Sequence, residues 1–156
     1  MRITKLLFNR IREFKEAKRI NLSFSGCGFL GAYNFGAAYC LFTESKNLIS
    51  RVDRFSGASA GSLVAALCAL TPEKIDSAIE ALYSIGDEVH SLPLGAMTPG
   101  YYISESLLKH MINFLPEDVS PAQNKLFVSV TKLNPVNNVL INNFDDRNHL
   151  MDDLLL

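Results

Sequence analysis

Val52-Asp53-Arg54-Phe55-Ser56-Gly57-Ala58-Ser59-Ala60-Gly61-Ser62-Leu63-Val64-Ala65-Ala66-Leu67 is the stretch on which the reading of this 156-residue chain turns. Val52–Ser56 has the length and apolar content of a buried strand, and Ser62–Leu70 has those of an apolar helix. Between them lies Gly57-Ala58-Ser59-Ala60-Gly61, a G-x-S-x-G pattern. In a strand-to-helix turn this pattern holds the serine on a strained backbone, with its hydroxyl standing clear of the sheet edge. Strand and helix close on each other there, so the residues two before and two after the serine must be nearly free of side chain. Both are glycine. The helix that follows turns its positive N-terminal end toward the serine and favours negative charge at that point. The same five residues also suit a tight turn in which Ser59 only caps a helix.

Upstream, Arg19–Phe24 reads as a strand, Ser25–Gly31 as a glycine-rich turn and Ala32–Phe42 as a helix of small and apolar residues. The order strand, helix, strand, helix predicts an α/β fold with a largely parallel sheet. Glycines in Gly26-Cys27-Gly28-Phe29-Leu30-Gly31 let main-chain N–H groups converge into an anion-binding nest. Acyl transfer needs such a nest for the oxyanion of its tetrahedral intermediate. Gly28 and Ser59 are 31 positions apart, the span of one βαβ unit. Parallel neighbouring strands then put nest and serine on one sheet edge, facing the same cleft. The glycines also spell the G-x-G-x-x-G of dinucleotide-binding folds. That fold calls for an acid at the end of the second strand, whereas Asp53 stands near its start.

Ser25-Gly26-Cys27-Gly28-Phe29-Leu30-Gly31-Ala32-Tyr33 together with Gly57-Ala58-Ser59-Ala60-Gly61 closely resembles the patatin-like phospholipase domain family, nearest its adipose triglyceride lipase branch. The resemblance runs from about Arg19 to the end of the chain. It implies a patatin-like three-layer α/β sandwich acting through a Ser–Asp dyad. Ser59 matches the nucleophile, and Gly26, Cys27 and Gly28 match the oxyanion-hole loop. Gly31, Gly57 and Gly61 are the motif glycines. The resemblance implies acylglycerol or phospholipid substrates at a lipid-droplet or membrane surface, a cytoplasmic location, and no cofactor or metal. A protein co-activator is left unspecified. Phe29 and Leu30 resemble residues at an acyl-chain entrance and equally suit plain packing.

The chain departs from the family in one respect. The dyad aspartate should stand in an Asp-Gly turn after a later strand, and the chain contains no Asp-Gly. Asp145, Asp146, Asp152 and Asp153 fall in polar, helix-flanking settings instead, and the chain stops within an apolar helix at Leu154-Leu155-Leu156. The expectation is a domain incomplete at its C-terminus, nearly inactive alone, with the base beyond the chain. The alternatives are a catalytically inactive lipid-surface or regulatory fragment, and more remotely a dinucleotide-binding module. Transacylation between glycerides is not separable from hydrolysis. A dyad needs no histidine base, and His90, His110 and His149 read as ordinary surface residues.

The rest of the chain bounds these readings. Residues 1–18 have Ile3, Leu7, Ile11 and Phe14 on one helical face, and residues 1–20 hold seven Lys/Arg against two Glu. This predicts a basic amphipathic helix, either solvated or lying on an anionic lipid surface, ahead of an acyl hydrolase region over 19–156. The formal net charge of −1 gives no reason to expect nucleic acid. Cys27, Cys40 and Cys68 have no metal-ligand spacing and read as buried, reduced thiols. Thr71-Pro72-Glu73 starts a helix with Thr71 as its capping hydroxyl and Ile75, Ala78, Ile79 and Leu82 inward. His90–Tyr102 reads as an irregular connector or a lid. Ile103, Leu107, Leu108, Met111 and Ile112 mark the inner face of a further helix. Lys125–Lys132 and Val139–Phe144 are predicted strands about a turn at Asn134–Asn138, and a last helix begins near Asn148.

Overall fold

The computed structural model describes residues 13, 14 and 17–155. The basic helix predicted over 1–18 lies outside the described residues except near its end, where Glu13 and Phe14 are helical. Arg51 holds that end: its guanidinium donates to the carbonyls of Phe14 (2.7 Å) and Ala17 and stands 5.7 Å over the Phe14 ring.

Four strands form one sheet in the order β1 (Ile20–Phe24), β2 (Val52–Ala58), β3 (Leu126–Leu133), β4 (Val136–Ile141). The first three are parallel, and β4 returns antiparallel to β3. Between β1 and β2 lie α1 (Gly31–Glu44) and the short α2 (Lys46–Ile49). Between β2 and β3 lie α3 (Ala60–Leu70), α4 (Ile75–Ser91) and α5 (Ile103–Phe114), and α6 (Arg147–Leu155) follows β4. Successive parallel strands step the same way across the sheet. Right-handed crossovers therefore place their helices on one face. That face carries Phe24, Phe55, Leu126 and Val128, all buried, while Asn21, Ser23 and Arg54 on the other face are exposed. The α/β class and the largely parallel sheet are those read from the sequence.

Helix α3 lies against β1, β2 and β3 and is covered in turn by α1, so eight of its eleven residues are buried. This explains its run of Ala and Val: only small side chains fit a helix enclosed on nearly all sides. The thiol of Cys68 sits in this layer, and burial pushes its pKa up to about 12. Cys40, by contrast, is exposed, and Cys27 is half-buried, so only one of the three thiols matches the buried reading. Cys40 falls on the outer side of α1, where an apolar neighbourhood in sequence does not mean burial.

Other expectations shift in instructive ways. Thr71 makes no side-chain cap to the helix it precedes. Its buried hydroxyl donates instead to the Phe114 carbonyl at 3.0 Å, tying the end of α3 to the end of α5. The connector read from His90 to Tyr102 is helical in its first two residues, where α4 ends at Ser91, and it holds a 3₁₀ turn at Gly95–Met97. In α5 the inner face is rotated. Ser106 is buried and donates to both carboxylate oxygens of Glu88 at 3.1 Å, while Ile112 is exposed. The β3–β4 turn is only Asn134-Pro135, so β4 starts three residues before the predicted strand.

Asp153, read as lying in a polar setting, is buried on α6. Its Oδ2 has no hydrogen-bond partner among the described residues. His149 Nε2 stands 3.5 Å away, an ion-pair distance but long for a hydrogen bond. Burial raises the carboxyl pKa above its ordinary value, and His149 pulls it down less strongly. An acid whose folded pKa is raised favours folding while protonated. That contribution is complete below the ordinary carboxylate value and is lost as pH rises through the raised one. Asp153→Asn should therefore raise the melting temperature at pH 7.5 by a few degrees, with the gain shrinking toward pH 4; thermal melts across that range measure it.

Candidate active site

Ser59 stands between β2 and α3 with φ 51° and ψ −132°, a left-handed conformation that a side-chain-bearing residue adopts only where the surroundings enforce it. Two close approaches enforce it. A Cβ at Gly57 would overlap the carbonyl of Gly61, and a Cβ at Gly61 would overlap the carbonyl of Phe24 and come within 2.6 Å of that of Ser25. The start of α3 is thus pressed onto both β2 and the end of β1, and Ser59 takes the sharp bend that remains. Ser62 fixes the bend, its N–H and Oγ both donating to the Ser59 carbonyl at 2.8 and 2.5 Å. The Ser59 side chain is left exposed at the sheet edge.

The glycine-rich loop comes directly alongside. A Cβ at Gly26 would lie 3.2 Å from the Ser59 Cβ and 3.1 Å from the Ala58 carbonyl, so bare backbone faces the serine there. Gly28 has φ +54°, which allows the loop to turn into the 3₁₀ segment Gly28–Leu30 and then α1. The Leu30 N–H is used within that turn, bonding to the Cys27 carbonyl at 3.1 Å. The N–H groups of Gly26, Cys27 and Gly28 have no backbone partner among the described residues. The glycine-rich loop and Ser59 therefore share one edge, as the 31-residue spacing predicted. Asp53, the acid of β2, is held at the opposite end of the strand by Arg19 (3.4 Å) and Arg54 (3.8 Å), so it is not at this edge, where a dinucleotide site calls for an acid.

Asn34 was not singled out in the sequence. It sits in the first turn of α1, and its Nδ2 donates to the Ser25 carbonyl at 2.9 Å and to the Cys27 Sγ at 3.3 Å, pinning the loop from behind. The signal available was an amide placed one turn into a helix that opens on glycines. Cys27 is thus a half-buried acceptor as well as a link in the loop.

Beneath Ser59 opens a pocket of about 330 Å³, lined by Gly28 and Phe29 at its mouth, by α3, α4 and α5 along its walls, and by Leu154 and Leu155 of α6. Its lining is almost wholly apolar, and no carboxylate contributes to it among the described residues. His110 does contribute, with its ring stacked on Phe114 at 6.4 Å between centroids. It had been read as a surface residue. The rotation of α5 that buries Ser106 carries His110 inward as well. His90 lines a second, more open hollow beside Phe29. His149 lies between Asp145 (3.3 Å) and Asp153 and takes no part in the pocket lining.

The family profile described as patatin-like phospholipase matches residues 22–156. The chain belongs to the patatin-like phospholipase family. It is 42% identical over 139 residues to human patatin-like phospholipase domain-containing protein 4, an alignment covering 88% of this chain and 55% of that protein. It is 31% identical to mouse 1-acylglycerol-3-phosphate O-acyltransferase Pnpla3, covering 88% of this chain and 33% of the relative. It is 32% identical to human omega-hydroxyceramide transacylase, covering 86% and 25%. The chain thus spans about half the length of the first of these relatives and a third or less of the other two. No solved structure matches it.

The glycine contacts rank three substitutions. Gly61→Ala should cost about 3 kcal/mol or abolish folding, since the obstructing atoms are backbone. Gly57→Ala should behave alike. Gly26→Ala needs shifts of only a few tenths of an ångström and should melt within a few degrees of the parent. Thermal denaturation of the three variants reads the order.

Proposed function

We propose that this chain carries the nucleophile, the oxyanion hole and the acyl-binding pocket of a serine acyl hydrolase acting on long-chain acylglycerol or phospholipid esters. The observation that carries this reading is the close approach of Gly26 to an exposed, strained Ser59 that shares an apolar pocket lining with Gly28, the Gly26–Gly28 N–H groups having no partner among the described residues. Ser59 Oγ attacks the ester carbonyl while its proton passes to a base. The carbonyl oxygen becomes an oxyanion held by the loop N–H groups, where losing one donor costs on the order of 3–4 kcal/mol of barrier. The acyl chain lies in the pocket, the alcohol leaves, and water releases the fatty acid from the acyl-enzyme. A second lipid hydroxyl in place of water makes the same site a transacylase, the activity named for one relative. The base in this reading is the aspartate of a Ser–Asp dyad. No described carboxylate lines the pocket, so the base is assigned to none of the described residues. Triacylglycerol as substrate, and a cytoplasmic site on lipid droplets or membranes, belong to the same proposal. Among the described residues no helix is long and apolar enough to cross a membrane.

The absence of a carboxylate from the pocket lining favours one second reading, a lipid-binding module without turnover. A fluorophosphonate separates the two. In the full-length protein, covalent labelling should occur at Ser59, be lost in Ser59→Ala, and proceed at least about tenfold faster with a long-alkyl than with a methyl phosphonate, because the alkyl chain fills the pocket. A folded full-length protein that binds fatty acid but is never labelled would leave only the non-catalytic module.

A further inference from the structure

Four stretches of twelve or more residues contain no Asp, Glu, Lys or Arg: 20–43, 55–72, 89–104 and 133–144. The second holds Ser59 and the buried helix α3. The other three bring exposed apolar side chains to the edge on which Ser59 stands. After β1 come Phe29, Leu30 (65% exposed) and Tyr33 (79%). Phe29 lines the pocket mouth and also the neighbouring hollow formed by Val89, His90, Leu92 and Gly95, which sets the 89–104 stretch against the same mouth. That stretch exposes Leu94 and Met97 (86%) and ends in Tyr102 and the pocket-lining Ile103. The third stretch reaches this edge through strand register. Ala58 pairs with Ser129, and β3 continues four residues further, to Leu133, so the hairpin tip projects about 13 Å past the β2 end at 3.3 Å per residue. Leu133 (82% exposed) and Val136 (79%) form that tip.

An edge that presents exposed Leu, Met, Tyr and Val from stretches of sequence holding no charged residue is complementary to a surface that is itself uncharged. We infer that the Ser59 edge is a docking face for an uncharged or zwitterionic lipid–water surface, with Leu30, Tyr33, Met97, Leu133 and Val136 entering the outer lipid layer. This rests on the acyl-lipid reading of Ser59 and deepens it. The substrate partitions into such a surface, and a mouth seated on it receives an acyl chain without exposing that chain to water. The attraction is burial of apolar area, not Coulomb pairing with anionic headgroups, so it is indifferent to salt. Lys132, one residue below the hairpin tip, is the nearest charge in sequence to the apolar positions of that hairpin.

The chain has no tryptophan, which makes single introduced tryptophans site-specific reporters. Tyr33→Trp, Met97→Trp and Leu133→Trp should each shift emission to the blue on adding phosphatidylcholine vesicles, equally at low salt and at about 1 M NaCl. Asn47→Trp, on α2 before the start of β2 and hence at the far edge, should not shift. Leu30→Asp combined with Met97→Asp should lower the vesicle-bound fraction at least about tenfold with an unchanged melting curve. Absence of a shift at the three sites overturns the inference. So does a shift only with phosphatidylserine that salt abolishes, an equal shift at Asn47, or a concentration-dependent shift without vesicles, which marks self-association. The reporters are read in a Ser59→Ala background and the labelling in the protein that keeps Ser59, so docking with no labelling of Ser59 fails only the catalytic reading, and labelling without docking fails only this one.

Discussion

Everything at this site depends on how closely one helix start approaches two strand ends. The first turn of α3 lies so near β2 and the end of β1 that no side chain fits at Gly57 or Gly61. That contact is steric and local. It forces the bend that lifts Ser59, brings the end of β1 beside it, and so sets the glycine-rich loop, which follows β1 directly, against the serine. The parallel pairing of β1 with β2, from Ile20↔Val52 to Phe24↔Gly57, keeps the two strand ends level. If the register slipped, nest and hydroxyl would move apart by a strand residue at a time.

Both loops were legible in the sequence for this same reason. Steric exclusion admits only glycine at Gly57 and Gly61, so it writes itself plainly as Gly57-x-Ser59-x-Gly61, and the positive φ of Gly28 favours glycine in the other loop. The βαβ spacing then fixed their mutual placement. What escaped was decided between distant elements. Nothing local shows that the Thr71 hydroxyl bonds to Phe114, or that Ser106 turns inward to Glu88 and carries His110 into the pocket wall. Helical periodicity counted Leu108 and Ile112 as inner residues because it weighs apolarity alone. A serine satisfied across a helix pair competes successfully for a buried position.

The pocket and its rim divide the chemistry between them. Inside, α3, α4 and α5 offer mainly apolar side chains, with Ser104 and His110 of α5 as polar members of the lining. At the mouth stand Ser59 and the bare backbone of the glycine-rich loop. Asn34 illustrates the economy of this arrangement: its amide steadies the loop through the Ser25 carbonyl and the Cys27 sulfur, leaving the loop N–H groups unengaged.

The backbone at Ser59 has a further consequence. A residue with a Cβ held at φ 51° and ψ −132° costs on the order of 1–3 kcal/mol relative to a relaxed conformation, and glycine accepts that geometry with little penalty. The protein is therefore less durable with its serine than a version carrying glycine at position 59. Thermal robustness and the presence of a hydroxyl at this bend pull in opposite directions at a single residue.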